Sequence, residues 1–268
     1  MCIIVSPRQV ELQRTRLFAR HVGGRQLLVY AMRLHAEERS AMILPIPLVP
    51  GSLEDGVVFR DLSTVPALFD ELMRGFPEPQ PRPAVLFTLS AERLQVHRVG
   101  SFEASFVPTR ADFVRLDPRF RLSDSLWHKL PQYADWGFVV FQFQPGAQDV
   151  HPMAFEFPSR YPEWLYFPTV HVHDGRLYST AQFDHRLYFQ GLARVTYRDT
   201  VFGDGLPPVS GGANGGGCTG ETSGVSAKRF VSPAAIASGA VAADRPVHRL
   251  SMFGRFPNED TWLRPPAD

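Results

Sequence analysis

Four of the nine histidines, His151, His171, His173 and His185, fall within thirty-five residues of alternating, strand-like sequence. Side chains two apart on a strand point the same way, so His171 and His173 are expected side by side, with a tight Asp174-Gly175 turn directly after them. If 150–157 and 164–173 form a hairpin with Phe157 opposite Leu165, then Phe155 meets Phe167, Met153 meets Thr169 and His151 meets His171. A slip of one residue would send Phe155 and Phe157 to the face away from Phe167, which favours this register. Directly opposed strand residues have Cβ atoms about 4.5–5.5 Å apart. His151, His171 and His173 would then converge on one Zn²⁺, Cu²⁺ or Fe²⁺ as neutral imidazoles, leaving a position for water as nucleophile or exchangeable ligand.

A two-residue turn at Asp174-Gly175 pairs His173 with Arg176 and His171 with Tyr178, so Arg176 and Tyr178 border the same patch and would steady an anionic or carbonyl oxygen. His185 is a weaker ligand candidate, because a strand continuing through 176–185 carries it about 23 Å along the ladder at about 3.3 Å per residue. Only a sharp bend at Gln182–Phe183 returns it, and Asp184 would then orient a histidine from behind. Pro152 and Pro168 each remove a ladder donor, so pairing here must be bulged or at an edge. Two other readings stand beside the metal: anion or carboxylate binding by histidine with Arg176, and histidines that only hydrogen-bond Thr169, Tyr178 or backbone.

Cys2 suggests a different chemistry. Removal of Met1 would leave a thiol and an α-amine on one residue, the arrangement of an N-terminal-nucleophile hydrolase in which the amine serves as general base. Ile3 follows where such enzymes carry a small residue, and the plainer reading of Cys2 is a small buried hydrophobe in an edge strand.

The elements that must position these residues are mostly strands. Runs at 15–21, 25–33 and 41–48 read as strands, the first two joined by Gly23-Gly24. One amphipathic helix is expected over 63–74, capped by Ser63 or Thr64, with Pro66 in its first turn and Leu68, Phe69 and Leu72 on its apolar stripe. Further strands follow at 84–89, 93–99, 102–107, 137–144, 150–157, 164–173 and 176–182, with a short helix near Ser125–Leu130. The glycine-rich stretch from 202 reads as a loop, followed by a short helix within 233–243 and a returning strand at Val247–Phe253. The expected class is α+β and β-rich: antiparallel sheets, as a sandwich or open barrel, with a minor helical layer. Residues 1–76 form a hairpin-plus-helix part, 84–200 a meander bearing the histidines and 202–268 a glycine-rich loop and C-terminal segment, all within one domain or divided.

Composition narrows the functions. With 28 basic against 27 acidic residues and a net charge of +1, nothing favours nucleic acid or an anionic membrane. The two cysteines, Cys2 and Cys218, offer neither a CxxC metal knuckle nor a disulfide framework, which fits a reducing, cytoplasmic setting. Met1–Val5 is too short for a signal peptide, and no run reaches the roughly 18 apolar residues of a membrane span.

The order of an N-terminal Cys, Thr15-Arg-Leu-Phe-Ala, Gly24-Arg-Gln-Leu-Leu-Val-Tyr and Ala41-Met-Ile-Leu-Pro-Ile-Pro resembles the opening of an uncharacterised bacterial domain-of-unknown-function family. The resemblance covers about the first third and, more weakly, 136–173; it implies shared architecture and no activity. Members usually carry a signal peptide and a Cys-Gly pair, neither of which is found here. Three classes are therefore expected to compete: a mononuclear metal site for hydrolytic or oxidative chemistry, a Cys2 hydrolase, and a non-catalytic binding or scaffold protein with a small-molecule or protein ligand.

Overall fold

A computed structural model describes residues 3–52, 54–76, 102–191, 200–202 and 217–263. Cys2, the expected strands at 84–89 and 93–99, and most of the glycine-rich stretch lie outside the described residues. Gly23 and Gly24 take φ of 55° and 78°, the left-handed region that suits glycine and matches the twist of a two-residue hairpin turn. They join β2 (Val10–Val22) to β3 (Arg25–Ala36), with Val22 opposite Arg25.

This hairpin is the middle of a seven-stranded sheet ordered β12 (Gly217–Ser226), β13 (Pro246–Pro257), β10 (Thr180–Phe189), β2, β3, β8 (Gly146–Phe157) and β5 (Val58–Arg60). All its pairs are antiparallel except β10 with β2. The sheet thus draws strands from each of the segments 1–76, 84–200 and 202–268. In β3 the run Leu27–Met32 is apolar without alternation because both faces are covered. Leu28, Tyr30 and Met32 face a four-stranded antiparallel sheet of β1 (Ile3–Val5), β4 (Ser40–Ile46), β7 (Gly137–Phe143) and β6 (Glu103–Val107). Leu27, Val29 and Ala31 face a helical layer of α1 (Leu68–Arg74) and α3 (Pro233–Ala237). A short α2 (Asp124–Trp127) starts at a Ser123 cap. A third sheet joins β11 (Thr200–Phe202), β14 (Thr261–Leu263) and β9 (Leu165–Phe167). The fold is a β-rich α+β arrangement of largely antiparallel sheets with a thin helical layer.

Helix α1 packs through Leu68, Phe69 and Leu72 as its stripe requires, but it starts after Pro66 rather than at Ser63. The ring of Pro66 disfavours helical backbone at Val65, so 63–67 remains a turn and Ala67 takes the N-cap position without a side-chain cap.

The hairpin of 150–157 with 164–173 does not form. Strand β8 lies between β3 and β5, with Phe155 opposite Leu28 and Phe59, and Phe157 opposite Gln26. There Phe155 packs against Phe141 of the facing sheet at 6.2 Å between ring centroids. Full burial of each phenylalanine contributes about 1.5–3 kcal/mol, and β3 supplies the long apolar partner that the three-residue β9 cannot. Beside His151 and Pro152 the ladder is bulged, both residues facing Ala31 alone, which accommodates the missing proline donor. A second bulge faces it across β3, where Arg14, at φ 55°, and Thr15 oppose Met32. Strands β2 and β10 stay paired only over Arg16–Ala19 and Arg186–Phe189. Below that the two strands fork, and Asp184 Oδ2 accepts the Arg14 N–H at 3.0 Å.

Candidate functional site

Pro168 ends β9, and the chain beyond it runs through 168–173 without a regular ladder. Buried backbone donors still need partners. Side chains of 258–261 provide them. Asp260 Oδ1 accepts from the Thr169 and Val170 N–H groups at 2.9 and 3.3 Å, and Thr169 Oγ1 donates to the Glu259 carbonyl at 2.8 Å. Asn258 Oδ1 accepts the His171 N–H at 2.6 Å, while its Nδ2 donates to the His171 and Tyr178 carbonyls at 2.9 and 3.0 Å. One amide thus does for His171 what a neighbouring strand would do. Gln26 plays the same part for β9, donating to the Tyr166 carbonyl and accepting its N–H at 2.7 and 3.0 Å.

Held this way, His171 and His173 lie on one side, their rings stacked at 5.5 Å with 19° between planes. His171 also stacks on Phe183 at 4.4 Å and meets the ring of wholly buried His185 at 5.1 Å. The expectation that 176–185 continues as one strand therefore fails. Residues 174–179 turn instead, β10 starts at Thr180, and the bend brings His185 back to His171. His151 stays on β8, its ring 4.6 Å from Phe102 and its Nδ1 buried without a hydrogen-bond partner. The expected convergence of His151 on His171 fails with the hairpin that carried it.

Burial sets the charge of the stack. It holds His171 well below the ordinary imidazole range and pushes His173 down to about 4, so both are neutral at pH 7. The lone pairs of imidazole nitrogens lie in the ring plane, so the two rings hold theirs in planes only 19° apart. Among the described residues, no group of three or more His, Cys, Asp or Glu side chains is placed to hold a metal ion.

The stack floors a cleft of about 910 Å³, walled by Ser6–Val10 on one side and by the start of β10 on the other. Arg176 and Tyr178 line it with His171 and His173. Asp174 orders the turn, accepting the Arg176 N–H at 3.0 Å and the Tyr178 hydroxyl at 2.8 Å. That hydroxyl holds the Asp174 carboxyl below its usual range. Arg8 and Arg255 complete a set of three arginines around the cleft, and Asp174 is the single acid among its described lining residues. Arg8 meets Glu38 at 3.5 Å with both side chains exposed, a pair of little strength.

Asn258 and Asp260 escaped the sequence reading. Their signal was a polar Asn258-Glu-Asp-Thr261 run set between Phe256 and Trp262, a composition that marks side chains bonding backbone. Asp260 is buried, its carboxyl pushed up to about 6 by burial although Tyr133 donates to it at 2.7 Å.

No family model matches the sequence. Among solved structures, the chain is similar to baculovirus P35, with a TM-score of 0.48 and 12% identity over 98% of this chain and 94% of that one. A mutated baculovirus P35 after caspase cleavage matches with a TM-score of 0.45 and 10% identity over 94% and 100%. The caspase-8/P35 complex gives 0.40 and 10% over 94% and 90%. No helix among the described residues is long and apolar enough to cross a membrane.

Proposed function

We propose that the protein is a non-catalytic binding protein whose cleft takes an anionic, carboxylate-bearing ligand. The observation that carries this is the lining: Arg8, Arg176 and Arg255 surround the cleft, while the one carboxylate among its described lining residues, Asp174, is already engaged by Tyr178. Arginine's planar donor fork suits a carboxylate, and its charge persists at any physiological pH. The neutral histidine stack contributes a flat, partly apolar floor rather than charge. The metal reading lacks support of this kind, because no group of three or more His, Cys, Asp or Glu side chains among the described residues is placed to hold an ion.

The test is a titration of the protein with citrate and with an acidic peptide at low and at physiological salt. Binding should weaken as salt rises, since the arginines are solvent-accessible. Arg176→Ser with Arg255→Ser should lower affinity tenfold or more while leaving the unfolding midpoint near that of the wild type. Binding that ignores both salt and these substitutions would remove the reading.

A further inference from the structure

We propose that the ligand is an extended acidic segment of a partner protein, which adds to β10 as a strand along Thr180–Asp184. This rests on the anionic reading of the cleft and names its substrate class.

Backbone parity carries the argument. In β10, Gln190 donates its N–H to the Ala19 carbonyl at 3.2 Å, so the even-numbered residues direct their peptide groups toward β2. Pairing on that side begins at Arg186, because the two strands fork below it. The same parity turns the peptide groups of Thr180 and Gln182 to the open side, whereas Ala181 and Phe183 turn theirs to β13. Asp184 marks the top of the opening: its N–H goes to His185 Nδ1 at 3.3 Å and its carboxylate to Arg14 across the fork. Thr180, Ala181 and Gln182 line the cleft, and Gln182 is exposed. Among the described residues, no strand covers this edge.

Such an edge, inside a cleft, is a template for strand addition, in which main-chain hydrogen bonds give affinity and side-chain surroundings give selectivity. The surroundings here select acid. Arg255 stands directly opposite Gln182 on β13, on the same face, and Arg176 and Arg8 lie on the walls. A second copy of this chain fits poorly, since its own edge would bring Arg176 and Arg255 against the same arginines. The volume, about 910 Å³, is near the upper end of the about 300–1,000 Å³ typical of ligand sites and suits a few extended residues.

The experiment uses the full chain and a fluorescein-labelled octapeptide of alternating glutamate and valine, with binding read by anisotropy. Two further peptides carry N-methyl groups on every glutamate or on every valine, and citrate and inorganic phosphate serve as competitors. Strand addition is expected to make one methylated parity at least tenfold weaker and to leave the other nearly unchanged. Gln182→Pro, which removes a donor on the open side and none on the β13 side, should abolish that difference, with far-UV circular dichroism reporting the fold. Equal affinity of both methylated peptides, with competition by citrate, would overturn strand addition and leave the anionic site standing. No binding of peptide, citrate or phosphate would overturn both.

Discussion

Strand β8 and the segment 168–173 were expected to pair, and they are built on opposite principles. The backbone of β8 is satisfied by strands on both sides, and its position follows from Phe155 and Phe157 entering the core. Segment 168–173 has buried apolar residues too, Val170 and Val172, yet its hydrogen bonds go to the side chains of Asn258, Asp260 and Thr261. Among the described residues, its one backbone contact with a strand is the isolated bridge to β1, where Ile4 donates to the Val172 carbonyl at 2.8 Å. A ladder is generic, since any residue but proline can supply it, whereas a side-chain latch is specific to a few atoms. The cleft is therefore bordered by a segment held by a few specific side-chain atoms.

The largest expected effects test that contrast directly. Phe155→Ala should destabilise the protein by about 3–5 kcal/mol, as a large core deletion does, with urea unfolding as the readout. Asn258→Ala removes three hydrogen bonds around buried backbone and should cost about 2–3 kcal/mol. The two should differ in hydrogen exchange: Asn258→Ala frees the His171 amide far more than it frees β8, while Phe155→Ala raises exchange throughout the sheet. If the His171 amide stays as protected in Asn258→Ala as in the wild type, the latch is not what holds the segment.

A middle-sized effect lies in pH dependence, where the latch and the stack oppose each other. Asp260 has its carboxyl at about 6 in the folded protein, against about 3.9 in an unfolded chain, so the folded state holds this proton more tightly. Its contribution falls as pH rises from about 4 to about 6, by on the order of 2–3 kcal/mol. His173 sits at about 4, against about 6.5 unfolded, so its contribution grows with pH through that window and is lost on acidification. Asp260→Asn keeps an acceptor for Thr169 and Val170, and should make the gain in stability between pH 4.5 and 6.5 larger than in the wild type. His173→Gln should flatten the same gain. Urea midpoints at the two pH values check both signs, and an unaltered slope in Asp260→Asn would show that this carboxyl is not a buried acid.

The smallest effect belongs to His151. Among the described residues its Nδ1 has no hydrogen-bond partner, and its ring packs on Phe102, so His151→Leu should change stability by less than about 1 kcal/mol in either direction. Peptide or citrate binding should not change at all. A loss of binding with His151→Leu would tie this side chain to the cleft and break the separation of the two regions.

Much of this was legible before the structure. Gly23-Gly24 with flanking apolar runs specifies a hairpin, the spacing of Leu68, Phe69 and Leu72 specifies a face, and His171 and His173 two apart share a side in strand or extended loop alike. Asp174 bonds the Arg176 N–H and the Tyr178 hydroxyl within one short turn. These are local relations, set by backbone geometry over a few residues.

What the tertiary structure decided is which distant partners win. Phe155 and Phe157 suit either β3 or β9 by pattern alone, and the longer apolar strand takes them because it buries more surface. That choice sent His151 to Phe102, and the bend at 174–179 brought His185 to His171 instead. The latch from Asn258 and Asp260 reaches across about ninety residues of sequence, as in the His171–Asn258 separation of 87. No periodicity encodes such a pairing, because a side-chain amide can satisfy any buried peptide group and only the packed molecule brings one within its reach.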